Sequence, residues 1–191
     1  MPSLVTAYLS PGHLAALDQP VLAAEGLTVR PWRAGDHPAV VAAFADPAIQ
    51  RWHCRTLTDA EALGWIGDGS HRWGAETAAS WAVTDGDEVA GQVGLRGVRL
   101  DEGRAAISYW VLPQARGRRV ASRALSALTR WCFADLGLHR LELHHSTLNE
   151  ASCRVAERAG YAAEGTKRAE ALHADGWHDM HAHARLATDL S

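Results

Sequence analysis

The sequence of 191 residues has few cysteines, no long apolar run and no excess of basic charge. Cys54, Cys132 and Cys153 are too few and too scattered for a disulfide framework or a paired-cysteine zinc site, which fits a reducing compartment. No stretch approaches the roughly 20 apolar residues that a membrane helix needs. The formal net charge of −3 argues against a general nucleic-acid-binding protein. Any site for an anion must therefore be local.

The start of the chain does not look like a secretion signal. The first 17 residues lack Lys and Arg, so no basic region precedes an apolar one, and Pro11 and Gly12 interrupt the apolar pattern. With 47% apolar residues, the chain is long enough for one sizeable core and short for two. We expect a cytoplasmic protein of bacterial type, with an N-terminal extension over 1–26 and a single domain over 27–187.

Strand and helix patterns alternate along that domain. Thr58 and Glu61 match a capping box that opens one helix, and Asp36 is placed to cap an earlier one. Hairpin spacing indicates antiparallel pairs, whereas the strand–helix–strand order over 105–145 indicates a parallel crossover. The expectation is an α/β fold with a mixed sheet. Strands are predicted over 27–32, 80–84, 89–95, 105–112, 139–145, 161–167 and 178–187, with further helices over 118–136 and 149–159.

Three arginines crowd a glycine where the strongest helix begins, in the stretch VLPQARGRRVASRAL. A helix N-terminus already carries a partial positive charge and free N–H groups, so Arg116, Arg118 and Arg119 are unfavourable there unless an anion is present. Gly117 lets the backbone approach that anion closely. The alternative is a solvated first turn. A dinucleotide glycine motif and a P-loop are both excluded, because their further glycines and GK[ST] residues are missing.

This stretch resembles the acyl-CoA-binding motif of the GNAT N-acetyltransferase superfamily, written Gln/Arg-x-x-Gly-x-Gly/Ala. Gln114, Gly117 and Arg119 occupy its fixed positions, although Arg119 stands where a small residue is usual. The segments SYWVLP, LGLHRLELHH and NEASCRVAERAGYAAEG, in that order, look like the RimJ/RimL subgroup. The resemblance covers about 27–187.

The resemblance implies a GNAT-like sheet, largely antiparallel, with a splayed parallel central pair of strands and helices on both faces. Acetyl-CoA would be the acyl donor, with no metal. Its pantetheine arm would pair with exposed strand backbone, and its diphosphate would meet the amides at the helix start. The implied cofactor-binding residues are Trp110, Val111, Leu112, Arg116, Gly117, Arg118, Arg119, Val120, Ala121, Asn149 and Ser152.

The resemblance implies a proton donor for the thiolate, but it leaves several candidates for the general base. Asn149 would bond the pantetheine amide, and Ser152 would give a proton to the departing thiolate, although both are also favoured helix caps. The acid that many relatives carry in the fourth strand is Ala106 here, so it cannot be the base. Glu170 is the first candidate base and His145 the second. Glu142, His144 and direct deprotonation through water stay open, as does a nucleophilic Cys153.

The expected reaction is direct transfer of an acetyl group to a primary amine in a ternary complex. The amine belongs either to a protein N-terminus or to a small molecule. The alternatives are an antibiotic or metabolite acyltransferase that uses a longer acyl-CoA, a non-catalytic acyl-CoA sensor, and a generic interaction domain. Nucleic acid and membrane are not expected as partners, whereas a second copy of the chain is a candidate partner.

Eight tryptophans and a histidine-rich tail remain to be placed. Trp52 and His53 belong to no helical stripe and are the candidate acceptor-binding residues. Trp65, Trp73 and Trp81 also fall where an acceptor pocket is expected, unless they pack in the core. His181 and His183 share a face of the last strand. Because no third metal ligand is obvious, we favour a polar strand face at a subunit edge over a metal site.

Overall fold

The structure, a computed structural model, describes residues 4–190. Within that range eight strands and six α-helices are joined by short 3₁₀ turns. In chain order they are β1 (Leu22–Ala24), β2 (Leu27–Pro31), α1 (His37–Ala45), α2 (Pro47–His53), α3 (Asp59–Gly67), α4 (Gly69–Gly74), β3 (Ala78–Asp85), β4 (Glu88–Arg99), β5 (Arg104–Val111), α5 (Val120–Ala134), β6 (Arg140–Ser146), α6 (Glu150–Arg158), β7 (Ala162–His173) and β8 (Gly176–Leu186).

All eight strands form one sheet in the order β1-β2-β3-β4-β5-β6-β8-β7. Every neighbouring pair is antiparallel except β5 and β6. Those two run parallel and pair only over Arg104–Ala106 and Arg140–Glu142 before they separate. The predicted fold class is therefore confirmed. The last strand, β8, lies inside the sheet between β6 and β7.

The larger core lies on the face covered by α5. This helix packs across β1, β2 and β4, and its leucines Leu125 and Leu128 are fully buried. Burial of a leucine side chain stabilises a fold by roughly 1.5–3 kcal/mol. Trp73, Trp81 and Trp131 pack against one another in this core, with ring centroids 5.6–6.1 Å apart. Trp73 and Trp81 are thus core residues and not walls of an acceptor pocket.

The opposite face of the sheet carries the helices α1, α2 and α3. Because successive side chains of a strand point to opposite faces, Ile107 joins the α5 core while Trp110 joins the second cluster. There Trp110 contacts Phe44 and Trp32, and Trp32 in turn packs on Trp65. Trp65 therefore also serves packing. No helix among the described residues is both long and apolar enough to cross a membrane.

The segment assigned to an N-terminal extension packs onto the sheet. Leu14 is fully buried in the larger core, and the Glu76 carboxylate accepts hydrogen bonds from the amides of Gly12, Leu14 and Ala15 at 2.7–3.0 Å. Its strand β1 pairs with β2 and was not predicted. The first three residues of the segment lie outside the described part of the chain.

Two helix starts were predicted from capping residues, with different outcomes. The capping box is confirmed, since Thr58 accepts from the Glu61 amide and Glu61 accepts from the Thr58 amide. Asp36 precedes α1, but its side chain does not cap that helix. Its carboxylate instead forms a buried bidentate ion pair with Arg30, with N–O distances of 2.7 and 2.9 Å. The short helices α2 and α4 were missed, because neither is long enough to show a helical period.

Candidate functional site

A cleft of about 810 Å³ opens where β5 and β6 separate. The start of α5 and the start of α6 border one end, here called the donor end. At the other, here called the acceptor end, α2 faces the β7–β8 hairpin. Most residues predicted to bind cofactor, and both predicted acceptor residues, line this one cleft. Those present are Trp52, His53, Trp110, Val111, Arg116, Gly117, Arg119, Val120, Ala121, His145, Asn149 and Ser152, whereas Leu112, Arg118 and Glu170 are not among its lining residues.

The unpaired edge of β5 offers only alternate residues to the cleft. The Leu112 amide donates to Ala90 on β4 at 2.9 Å, and Trp110 pairs with Gln92 on the same side. Because backbone groups alternate along a strand, those of Val111 and Tyr109 point the other way, toward β6. A ligand that adds to this edge would therefore pair with Tyr109 and Val111. Pairing was expected through Trp110 and Val111. The orientation of Val111 suits it, whereas the backbone of Trp110 and the amide of Leu112 already belong to the sheet.

The turn before α5 has the backbone shape of an anion-binding loop. Gly117 has φ +78° and Arg119 has φ +57°, both in the left-handed region. A Cβ on Gly117 would meet nothing within 4 Å, so the glycine leaves open space above the loop. Within the described residues, the amides of 117–121 donate no hydrogen bond. Five free N–H groups at a helix start can bind a phosphate group.

The three arginines of the loop are not equivalent. Arg116 forms an ion pair with Asp46 at 2.6 Å, and Arg118 forms a close ion pair with Asp85. Arg119 lines the cleft and has no ion pair with the described residues. Of the three arginines, Arg119 is the one that no carboxylate of the described residues pairs, and Arg116 lines the cleft beside it. The positive charges of Arg116 and Arg118 are offset by the carboxylates of Asp46 and Asp85. These ion pairs lessen the repulsion between the two arginines and the helix start.

Arg119 also borders a second, smaller hollow of about 310 Å³ beside the donor end. Arg123 and Arg158 line it too, with one acidic residue, Glu25. The Arg123 side chain donates to the Arg118 carbonyl at 3.2 Å and is held in place. This basic hollow continues the anion-binding loop outward, so that a ligand with more than one phosphate could be held at both positions.

The start of α6 brings Asn149 and Ser152 to the cleft. Asn149 caps the helix, because its side-chain oxygen accepts from the Ser152 amide at 3.1 Å. The capping interpretation is therefore correct for Asn149, and it leaves the side-chain NH₂ of Asn149 free to donate. Ser152 lies against Tyr109. Burial raises the pKa of Tyr109 to about 12, and the Ser152 hydroxyl offsets part of that rise.

Sequence reasoning missed Tyr109 as a site residue. Its hydroxyl oxygen is buried and makes no hydrogen bond of normal geometry with the described residues. Buried polar atoms without a partner are rare in proteins and commonly mark a functional position. Side chains alternate between the two faces of a strand, so Tyr109 lies on the same face as Ile107 and Val111. All three line the cleft, and this pattern could have revealed Tyr109.

Two of the predicted base candidates are occupied by other contacts. Glu170 lies on β7 and forms an ion pair with Lys167 at 2.8 Å, outside the cleft lining. Glu142 is paired with Arg140 at 2.8 Å and with Arg104 at 3.6 Å. Both carboxylates are therefore engaged by cations, and neither lines the cleft where a proton would be taken up.

His145 reaches the cleft but is held on both nitrogens. Its Nδ1 contacts the Ser146 carbonyl at 2.8 Å, and its Nε2 lies 3.2 Å from Nε2 of His183. Burial lowers its pKa, the Ser146 contact partly opposes this, and His183 lowers the pKa further. His181 and His183 share a face of β8, as predicted. His145 and Cys153 lie beside them and are further candidate ligands that the sequence did not reveal.

An unpredicted Ser–His–Asp chain reaches the same cleft. The hydroxyl of Ser146 lies 2.9 Å from Nδ1 of His178, and Nε2 of His178 lies 2.8 Å from the Asp175 carboxylate. Ser146 lines the cleft, whereas His178 is buried behind it. With the proton on Nε2 held by Asp175, Nδ1 is free to accept the Ser146 proton. This order permits a proton to leave the cleft through Ser146 to His178.

The acceptor end is walled by aromatic rings from two distant segments. Trp52 packs edge-on against His173 and His178 at 6.1 and 6.3 Å, and Arg51 covers its ring at 4.6 Å. His53 packs against Phe44, and burial lowers its pKa to about 4. His53 is therefore neutral at pH 7. Trp52 and His53 both line the cleft, as their prediction requires.

Comparison with known proteins assigns this architecture. Residues 26–162 match the family model described as an acetyltransferase (GNAT) domain. The chain belongs to the GNAT acetyltransferase family. It is 26% identical over 153 residues to the N-acetyltransferase YoaA of Bacillus subtilis (strain 168), itself described as uncharacterized, covering 78% of this chain and 86% of YoaA. Membership of this family makes the protein an acyltransferase.

Solved structures show the same fold in ribosomal-protein acetyltransferases. RimL, in complex with coenzyme A, superposes with a TM-score of 0.79 at 19% identity, over 87% of this GNAT chain and 98% of RimL. Mycobacterium smegmatis RimJ, in complex with a CoA disulfide, has a TM-score of 0.79 at 21% identity, over 90% and 88%. At these identities the likeness concerns the fold.

Proposed function

We propose that this GNAT protein transfers an acetyl group from acetyl-CoA to a primary amine, in a ternary complex. The observation that carries the proposal is the cleft between β5 and β6. It connects free helix-start amides at one end to a buried proton-transfer chain at the other. The acceptor is a protein N-terminal α-amine or a small-molecule amine. Unpaired thiols at Cys54, Cys132 and Cys153 fit a cytoplasmic enzyme.

The donor end would hold the coenzyme by its anionic groups. The amides of 117–121 would receive the diphosphate, and Arg119 would add a charge-assisted hydrogen bond. The basic hollow with Arg123 and Arg158 would receive the remaining phosphate. The pantetheine arm would then run along the β5 edge, where the backbone groups of Val111 and Tyr109 point away from β4. The side-chain amide of Asn149 would donate to it from the α6 side.

The acceptor end would supply the base. An ammonium must lose a proton before nitrogen can attack a thioester. We assign that proton to His178 through the Ser146 hydroxyl, because this chain is in the cleft and Glu170 is not. Asp175 would stabilise the imidazolium that forms. The sequence predicted Glu170 or His145 as the base. We assign that role instead to the relay formed by Ser146 of β6 and His178 of β8.

The reaction would then proceed without a covalent enzyme intermediate. The amine nitrogen bonds to the carbonyl carbon, the C–S bond breaks, and the departing thiolate takes a proton from the Ser152 hydroxyl. Ser152 in turn takes the proton that the newly acylated nitrogen loses, and Tyr109 lies beside it. Cys153 is not activated as a nucleophile, since burial and the neighbouring Glu157 both raise its pKa. Proximity in the cleft would contribute much of the acceleration.

An acceptor screen tests the proposal. The protein is incubated with acetyl-CoA and a panel of amines, including peptides with free N-termini, aminoglycosides and amino-acid derivatives. Thiol release and an added acetyl mass on one acceptor class are the expected result. A parallel arm uses succinyl-CoA. If coenzyme A binds by calorimetry while no amine releases thiol with either donor, the protein is an acyl-CoA sensor and the catalytic proposal is wrong.

A further inference from the structure

Three histidines and one cysteine meet behind the cleft wall. His145 on β6 and His181 on β8 are directly opposed in the sheet, and His183 lies two residues further along β8. All three therefore share one face. Cys153, in the first turn of α6, completes the group, and the four ligand atoms lie within 4.8 Å of one another.

The hydrogen bonds of two of these rings leave an unmatched pair of nitrogens. Nδ1 of His145 contacts the Ser146 carbonyl at 2.8 Å, and Nδ1 of His183 contacts the Tyr161 carbonyl at 3.3 Å. A carbonyl oxygen only accepts, so each Nδ1 must carry the proton. In two neutral rings both Nε2 atoms are then acceptors, yet they face each other at 3.2 Å. A cation between them removes this repulsion.

The spacing of the His145 and His183 nitrogens fits two ligands of a tetrahedral metal ion. Nitrogen ligands about 2.0–2.1 Å from zinc are separated by roughly 3.3–3.4 Å in a tetrahedron, close to the Nε2–Nε2 distance observed. The two carbonyl contacts on Nδ1 are the outer partners that orient metal-bound imidazoles. His181 and the Cys153 thiol, both half-buried, supply the third and fourth ligands. A proton shared between the two Nε2 atoms is the alternative explanation of their close approach. It would not account for the presence of His181 and Cys153 in the same group.

We propose that His145, His181, His183 and Cys153 form a site for one divalent metal ion of the zinc type. Three imidazole nitrogens and one thiolate are a ligand set that suits Zn²⁺. Binding converts the Cys153 thiol to a metal-bound thiolate and releases its proton to solvent. The Glu157 carboxylate, 3.7 Å from the Cys153 sulfur, favours a cation there. The ion fastens the start of α6 to β6 and β8, and the inference does not depend on acyl transfer.

The test uses the full chain, stripped with a chelator and titrated with zinc sulfate. Calorimetry and elemental analysis are expected to give one zinc per chain, and zinc is expected to raise the melting temperature. Cobalt(II) in place of zinc should give the visible absorption of a tetrahedral ion and a thiolate-to-metal band in the ultraviolet. That band reports Cys153 directly.

Matched variants separate this site from adventitious binding. Cys153→Ser and His181→Asn change half-buried ligands, and each should weaken zinc affinity by at least about tenfold, the scale set by loss of an outer-sphere partner. Circular dichroism checks that both fold. His144→Asn, on the opposite face of β6, should bind zinc like the unchanged chain. Equal zinc affinity in all three variants, or a His145–His183 pair that shares a proton by nitrogen NMR and ignores zinc, would overturn the proposal.

Discussion

The donor end of the cleft is made by consecutive residues, whereas the acceptor end is made by residues far apart in the chain. Residues 116–121 supply the donor-end amides from a single turn, through backbone groups and two left-handed conformations. At the acceptor end, α2 contributes Trp52 and His53, β6 contributes Ser146, and the β7–β8 hairpin contributes His178. The donor end therefore depends on one local turn, whereas the acceptor end depends on the tertiary fold to bring its side chains together.

The largest difference between the two ends is expected from His178→Ala. Loss of a general base typically lowers turnover by roughly 10²–10⁴-fold, so kcat/KM for the amine should fall on that scale. Affinity for coenzyme A should stay unchanged, because His178 does not touch the donor end. Steady-state kinetics and calorimetry measure the two quantities separately.

Two further observations distinguish a base from a merely structural histidine. Added imidazole should restore part of the rate in His178→Ala, and Asp175→Asn should lose less activity because it keeps a side-chain oxygen near Nε2. Parallel losses of coenzyme affinity and rate, without imidazole rescue, would show that the substitution only disturbs the hairpin.

Gly117→Asp should act at the opposite end. The substitution strains a left-handed residue and places a carboxylate against the diphosphate. Each charge-assisted hydrogen bond is worth about 1.5–3 kcal/mol, so loss of one or two should weaken coenzyme A binding by roughly 100-fold. Calorimetry gives the dissociation constant.

Gly97→Asp is the matched control for that experiment. Gly97 also has positive φ, +57°, and open space around a Cβ, but it does not line the cleft. It should bind coenzyme A normally. If Gly117→Asp also binds with unchanged affinity, the loop does not hold the diphosphate.

The contrast between the ends explains what sequence could predict. The parallel β5–β6 crossover, the long helix α5 and the Gly117 loop follow from local period and one compact motif. Ser146 and His178 could not be joined from sequence, because only the register of β6 against β8 places Ser146 beside the hairpin. The ion pair of Glu170 with Lys167 has a local origin, since the two residues are three apart where the register of β7 is irregular, and the strand period did not reveal it.

Trp52→Ala should affect only acceptor binding, and more weakly. Trp52 lines the cleft and is held under Arg51. Removing the ring should raise KM for the amine by about tenfold, equivalent to roughly 1.4 kcal/mol of lost contact, with little change in coenzyme affinity. Trp65→Ala, which disturbs packing against Trp32 but not the cleft lining, should lower stability and leave KM unchanged. An unchanged KM in Trp52→Ala would remove this residue from the acceptor wall.

The smallest expected effect is a pH dependence of stability from His53. Burial lowers its folded pKa to about 4, against 6.5 in the unfolded chain. Between those values the unfolded chain binds a proton that the folded one does not, so the His53 contribution is full above pH 6.5 and is lost as pH falls toward 4. From about pH 7.5 to about pH 6 this amounts to about 0.8 kcal/mol. Urea unfolding of the protein and of His53→Gln at both pH values isolates it, because other titrating groups cancel in the difference. A free-energy difference between the two proteins that does not change with pH would mean that His53 is solvated rather than enclosed by the acceptor end.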